Sequence, residues 1–204
     1  MTPRPYHLGR RQTAVDRTRA RILKAARALL VARGNVEFGI DAVARRARVT
    51  RATVYHQFGS RPRLLEALFD ELAREGGMWD LPAAFRHPDP DEALARFVQT
   101  FGRFWTAHRP LQRRLLALAA LDRGLDRALS ARQEWRRQGL RVLVGRLSER
   151  HRLPKAALDE TIDVLFTLTS FHTFDGLAGA TRTPADVAPV VLRLARRALG
   201  LPAE

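Results

Sequence analysis

The apolar positions of this chain fall at helical spacing almost throughout, and no segment alternates as a strand does. The pattern is clearest at Ile40, Val43, Ala44 and Ala47, which share one face, with Asp41, Arg45 and Arg46 off it. A second short helix is predicted from Thr50, whose hydroxyl can cap the free amides of its first turn. Val54 and Phe58 form its buried side, and Arg51, Thr53, Tyr55 and His56 are left on the open side. Helices this short are marginal alone, so both must pack on neighbours. Ala44 is small where the two must approach closely, and Val49 can fill the angle between them. Two short helices joined by a turn of three or four residues describe a helix-turn-helix.

The same reading predicts about nine helices and an all-α fold. A first helix is expected from about Asp16 to Arg33, with Ile22, Ala25, Ala26, Leu29 and Leu30 as its core stripe and Gly34 as its end. Residues 1–15, with two prolines and a glycine, read as a flexible basic arm. A helix opening at Pro62 carries Leu64, Leu65, Leu68, Phe69 and Leu72 and stops at Gly76-Gly77. Residues 78–90 hold three prolines and read as an irregular connection. Asp89 then caps a helix reaching about Ala107, Pro110 opens another, and a long one follows from about Leu125 to His151. One helix is expected from Pro154 to about Gly179, apolar on most sides and so mostly buried. The last begins at a capping box, Thr183 to Asp186, and its stripe runs from Val187 to Leu199.

Charge changes the picture. The 204 residues carry a formal +15, unevenly spread: residues 1–60 hold 13 Lys and Arg against 3 Asp and Glu. That surplus surrounds the helix-turn-helix, as the footprint of nucleic-acid binding requires. Arg17, Arg19 and Arg21 crowd the start of the first helix against its dipole, a placement that nearby phosphates would offset. A hydrophobic content of 46% supplies a sizeable core. Without cysteine there are no disulfides or thiolate metal sites. No apolar run is long enough to span a membrane, and the N-terminus lacks the apolar stretch of a secretory signal, so a cytoplasmic protein is expected.

Val43-Ala44, Ala47, Val49, Thr53-Val54-Tyr55, Phe58, Ser60 and Leu64-Leu65 together resemble the DNA-binding segment of the tetracycline-repressor (TetR) family of transcription regulators. The match covers about Arg17 to Leu72. It implies that Thr53, Tyr55 and the basic Arg61 hold phosphates and that Arg51, Ala52 and His56 face bases. Arg45, Arg48 and Thr50 complete the expected DNA-binding set. The chain departs from the family pattern at Arg48, where a glycine is usual, at Arg61, usually lysine, and at Phe38, usually threonine. A left-handed backbone at Arg48 would cost on the order of 1 kcal/mol. The resemblance further implies a DNA-binding domain over residues 1–60, and over residues 61–204 a larger helical domain that binds an effector and dimerises.

In the C-terminal half, Phe97, Phe101, Trp105, Trp135, Phe166, Ser170, Phe171 and Phe174 are the candidate pocket, apolar walls interleaved with a few polar groups. Thr169, Thr173, Val187, Val190, Val191 and Leu194 are the candidate dimer contacts, since the last two helices present more apolar surface than one chain can cover. His172 and Asp175 have the i, i+3 spacing of metal ligands, but with one of each a structural hydrogen bond is the better reading. There is no phosphate loop, no nucleophile elbow, no catalytic constellation and no call for a cofactor. The expectation is therefore a dimeric regulator, most simply a repressor released by a small apolar effector, acting on duplex DNA with a palindromic operator. The alternatives are a helical enzyme or ligand carrier whose basic end does not read DNA, and a sequence-blind binder of nucleic acid.

Overall fold

The computed structural model describes residues 6–32 and 38–201, without the side chains of residues 6–11 and of Lys155. Eleven α-helices and two short 3-10 turns account for the regular structure, and the described residues contain no strand. The chain divides between Asp70 and Glu71 into two compact units.

The first unit holds α1 (Tyr6–Val31), α2 (Ile40–Ala47), α3 (Arg51–Phe58) and most of α4 (Arg61–Glu75). Its core is the stripe predicted from periodicity: Ile22, Ala26, Leu30, Val43, Ala44, Val54 and Leu64 are all buried. Helix α1 corrects one expectation. It is already helical at Tyr6, so the flexible arm expected over residues 1–15 does not hold for residues 6–15; residues 1–5, like Arg33 and Gly34, lie outside the described residues. Both prolines precede the helix, and the single Gly9 inside it costs only about 1 kcal/mol, too little to stop it.

The second unit is built around α6 (Pro90–Ala107), which buries Leu94, Phe97, Val98, Phe101, Phe104 and Trp105. Asp89 accepts from the Asp91 amide to cap it, and Pro90 opens it as expected. Helix α11 (Pro184–Ala198) packs along α6. Gly102 makes the approach possible, because a Cβ there would lie 3.2 Å from Ala188 Cβ and 3.3 Å from Phe174 Cε1. The Thr183–Asp186 capping box is fully formed. Helices α7 (Arg109–Ala119) and α8 (Arg123–His151) complete the frame.

Two further elements differ from the sequence reading. The connection expected to be irregular contains a 3-10 turn at Met78–Asp80 and a helix α5 (Leu81–Arg86), with Pro82 in its first turn. It packs on α6 and α8, and Phe85 lies so close to Gly139 that a Cβ there would stand 2.7 Å from its ring. The single helix expected from Pro154 to Gly179 is two, α9 (Leu158–Leu168) and α10 (Phe171–Ala178). Ser170 takes extended geometry at the break, and its hydroxyl accepts the Thr173 amide, so it is an N-cap inside an otherwise apolar run.

Candidate nucleic-acid interface

Helix α2 ends in a Schellman turn. The Val49 amide donates to Ala44 O at 3.0 Å and the Arg48 amide to Arg45 O at 3.1 Å. Arg48 occupies the left-handed position, φ 53° and ψ 48°, so the turn keeps its form without glycine. Helix α3 then starts at Thr50, whose Oγ1 accepts the Thr53 amide at 3.1 Å and lies 2.8 Å from Thr53 Oγ1. With Phe38 in place of the usual threonine, a cap from elsewhere is expected, but Gly39 precedes α2 and no side-chain cap is formed there.

With Val54 and Phe58 turned inward, α3 leaves Thr50, Arg51, Ala52, Tyr55 and His56 exposed on one open surface. Arg45 and Arg48 are exposed beside them on α2 and the turn, while Thr53 and Arg61 are half-buried. Arg51 donates to Asp41 Oδ2 at 2.8 Å and to the Tyr55 hydroxyl at 3.3 Å. The Tyr55 hydrogen bond and the Asp41 charge together push its guanidinium above its ordinary value. Arg61 donates to Phe38 O at 3.2 Å and stacks 5.3 Å from the Phe38 ring centroid. Phe38 thus supports the basic residue expected to hold a phosphate.

Two contributors escaped the sequence reading. Asp41 was noted only as off the apolar face, yet it holds Arg51 across the turn. Arg19, grouped with its neighbours as a phosphate-facing cluster, donates to Gln57 O at 3.2 Å and lies 4.5 Å over the Phe58 ring. Only the folded geometry brings these distant positions together.

In the second unit, Phe97, Phe101, Trp105 and Phe171 form a continuous chain of rings, with successive centroids 4.8, 5.7 and 5.6 Å apart. Phe174 is buried, and Phe166 and Ser170 are half-buried. Trp135 stands apart, 62% exposed, with the Arg132 guanidinium 4.4 Å over its ring. Of the candidate dimer residues, Thr169, Val187 and Val191 are buried within the chain itself, while Thr173, Val190 and Leu194 are at least partly open. Asp175 is held by Arg109 and Arg113, at 2.5 and 2.9 Å, and His172 does not reach it as a hydrogen-bond partner. No group of three metal-ligating side chains occurs among the described residues, and no described helix is long and apolar enough to cross a membrane.

The sequence model described as "Bacterial regulatory proteins, tetR family" matches residues 22–68. A comparison with curated proteins gives no match. Among solved structures, the chain is similar to a TetR-like transcriptional regulator from Rhodococcus sp. RHA1, at 22% identity and TM-score 0.61, covering 90% of this chain and 96% of that one. It is also similar to NalD of Pseudomonas aeruginosa, the secondary repressor of the MexAB-OprM multidrug efflux pump, at 20% identity and TM-score 0.67, covering 91% and 97%. A third is RolR in complex with its ligand resorcinol, at 23% identity and TM-score 0.54, covering 94% and 92%.

Proposed function

We propose that this chain, whose residues 22–68 match the model of the tetR family of bacterial regulatory proteins, is a dimeric repressor that reads a palindromic operator and lets go of it when a small molecule binds. The observation that carries this is the open face of α3. A capped helix start and an intact left-handed turn present a guanidinium, hydroxyls and an imidazole together on a surface free of packed neighbours. Those groups are the ones that bond base edges and phosphates in a major groove.

Tyr55, Thr53 and Arg61 hold the backbone and Arg51 and His56 read bases, with Asp41 aiming the Arg51 fork. Two copies related by a two-fold axis set two readers on the two half-sites. The effector lodges among α6, α8, α9 and α10, where the ring chain lies. Helix α4 runs unbroken from Arg61 to Glu75, and His108 Nε2 bonds Leu72 O in its last turn at 2.9 Å. A ligand releases the operator only through different affinities for the DNA-bound and DNA-free states. The efflux-pump repressor and the resorcinol-bound protein among the similar structures support both halves of this assignment.

Fluorescence anisotropy with labelled duplexes tests it. One palindromic sequence selected from a random pool should be bound far more tightly than unselected duplex, with affinity falling steeply as salt rises. Equal affinity for all duplexes at physiological salt would refute sequence-specific regulation.

A further inference from the structure

Arg136 projects from α8 into the junction of α9 and α10 and is only 6% exposed. Its Nη1 donates to Phe166 O and to Thr169 Oγ1, both at 2.6 Å. Its Nε and Nη2 both donate to Gln133 Oε1, at 3.1 and 2.8 Å. Every one of these acceptors is neutral. No carboxylate among the described residues pairs with it, although carboxylates pair with Arg109, Arg113, Arg137 and Arg141. Four of its five N–H groups are used, and the second hydrogen of Nη2 has no acceptor among the described residues.

Its surroundings are aromatic. The guanidinium carbon lies 4.0 Å from the Phe166 centroid and 5.9 Å from that of Phe101. Trp105 Nε1 donates to Thr169 O on the same break, which ties the ring chain to the charge. Buried charges are ordinarily paired with an opposite charge, because neutral acceptors and ring faces repay only part of the lost hydration. Burial, reinforced by the charge of neighbouring Arg137, pushes this guanidinium down to about 9. If Arg136 served only to satisfy the carbonyls freed at the helix break, a neutral donor would do so without that cost.

We propose that Arg136 is the anchor for an anionic effector, an organic carboxylate whose apolar body lies along the Phe101, Trp105 and Phe166 rings. The inference rests on the effector reading above and narrows its chemistry from an apolar molecule to an amphipathic acid. The carboxylate supplies the missing counter-charge and accepts the spare Nη2 hydrogen, as the guanidinium fork suits. The α9–α10 break is then where the ligand is felt, since the same guanidinium holds Phe166 O in the last turn of α9 and the hydroxyl of Thr169, its C-cap at the break.

Matched probes test the charge separately from the pocket. Full-length protein is titrated calorimetrically with 2-naphthoate and dodecanoate, and in parallel with their primary amides, which keep the apolar body and lose the charge. The acids should bind wild type at least about tenfold more tightly than the amides. Arg136→Gln should erase that preference while still binding the amides, and Arg136→Lys should keep part of it. The acid-to-amide ratio in wild type decides the matter even if Arg136→Gln fails to fold by circular dichroism. Equal binding of acids and amides, or a preference that persists in folded Arg136→Gln, overturns the charge anchor and leaves the effector site standing. Failure of all four probes to bind counts against both.

Discussion

Arg51 Nη1 lies 2.8 Å from Asp41 Oδ2, an ion pair that crosses the turn between the two helices of the reader. Both side chains are more than half exposed, so the pair adds little to stability. Its effect is directional. With Tyr55 on its other side, Arg51 is held along the open face of α3 instead of sweeping through solvent. Asp41→Ala should leave the melting temperature within the error of the measurement and blunt discrimination at one operator position. Arg51→Ala should relax the same position by roughly ten- to a hundredfold. Anisotropy against a set of single-base operator variants checks both. If either variant weakens all sequences evenly, the base-reading assignment is wrong.

Arg48 is strained where glycine would be relaxed, with φ at 53°. Arg48→Gly should raise the free energy of unfolding by about 1 kcal/mol, partly offset by the freer unfolded chain. Retaining arginine there is explained if its charge meets a phosphate. The variant should then bind every duplex less tightly and lower the slope of log affinity against log salt by about 1. A stabilised variant with an unchanged slope would leave the arginine without a role in DNA contact.

The first unit was legible because its evidence is local. Apolar spacing gave α2 and α3, Thr50 announced its cap, and the charge surplus marked the face. The second unit was less so, and the misses share a cause. Ser170 looked like a polar residue in an apolar helix, yet a hydroxyl that accepts the third amide onward is also how a new helix begins. Pro82 looked like a loop residue, yet it stands where proline suits a first turn. One residue type supports both outcomes, and tertiary packing, here Phe85 against Gly139, chooses between them. Trp135 could not be told from a core aromatic by spacing on so long a helix. Arg136 was one arginine among many until burial singled it out.

Asp175 fastens α10 to α7. Arg109 and Arg113 grip its carboxylate, and Arg109 also donates to Gly179 O and Arg182 O. Burial alone would raise its carboxyl, but hydrogen bonds from Arg113 and Arg109, and their charges, outweigh it and hold the group below its ordinary 3.8. The folded state therefore takes up this proton less readily than the unfolded chain. The contribution is complete above about 3.8 and is lost as pH falls through the lower folded value. Asp175→Asn should lower the melting temperature at pH 7 and flatten its decline below pH 4. Parallel melting curves for wild type and variant across that window would contradict the assignment.

The dimer proposal turns on which side of α11 is already spent. Val187, Val191 and Ala195 are fully buried within the chain, against α6 and its neighbours. Leu194 is 36% exposed and Val190 half-buried, on the adjoining side of the same helix. A partner copy would use that second side, together with the part of α10 around Thr173, in an isologous contact. A charge at Val191 therefore cannot test dimerisation: Val191→Glu buries an unpaired carboxylate in the chain's own core and should lower the melting temperature by more than about 10 °C. Leu194→Glu is the informative change. It should keep the wild-type circular dichroism spectrum, halve the mass measured by light scattering, and weaken binding to a two-half-site operator far more than to a single half-site. Wild-type protein that is monomeric at micromolar concentration would remove the dimer, and with it the paired reading of a palindrome.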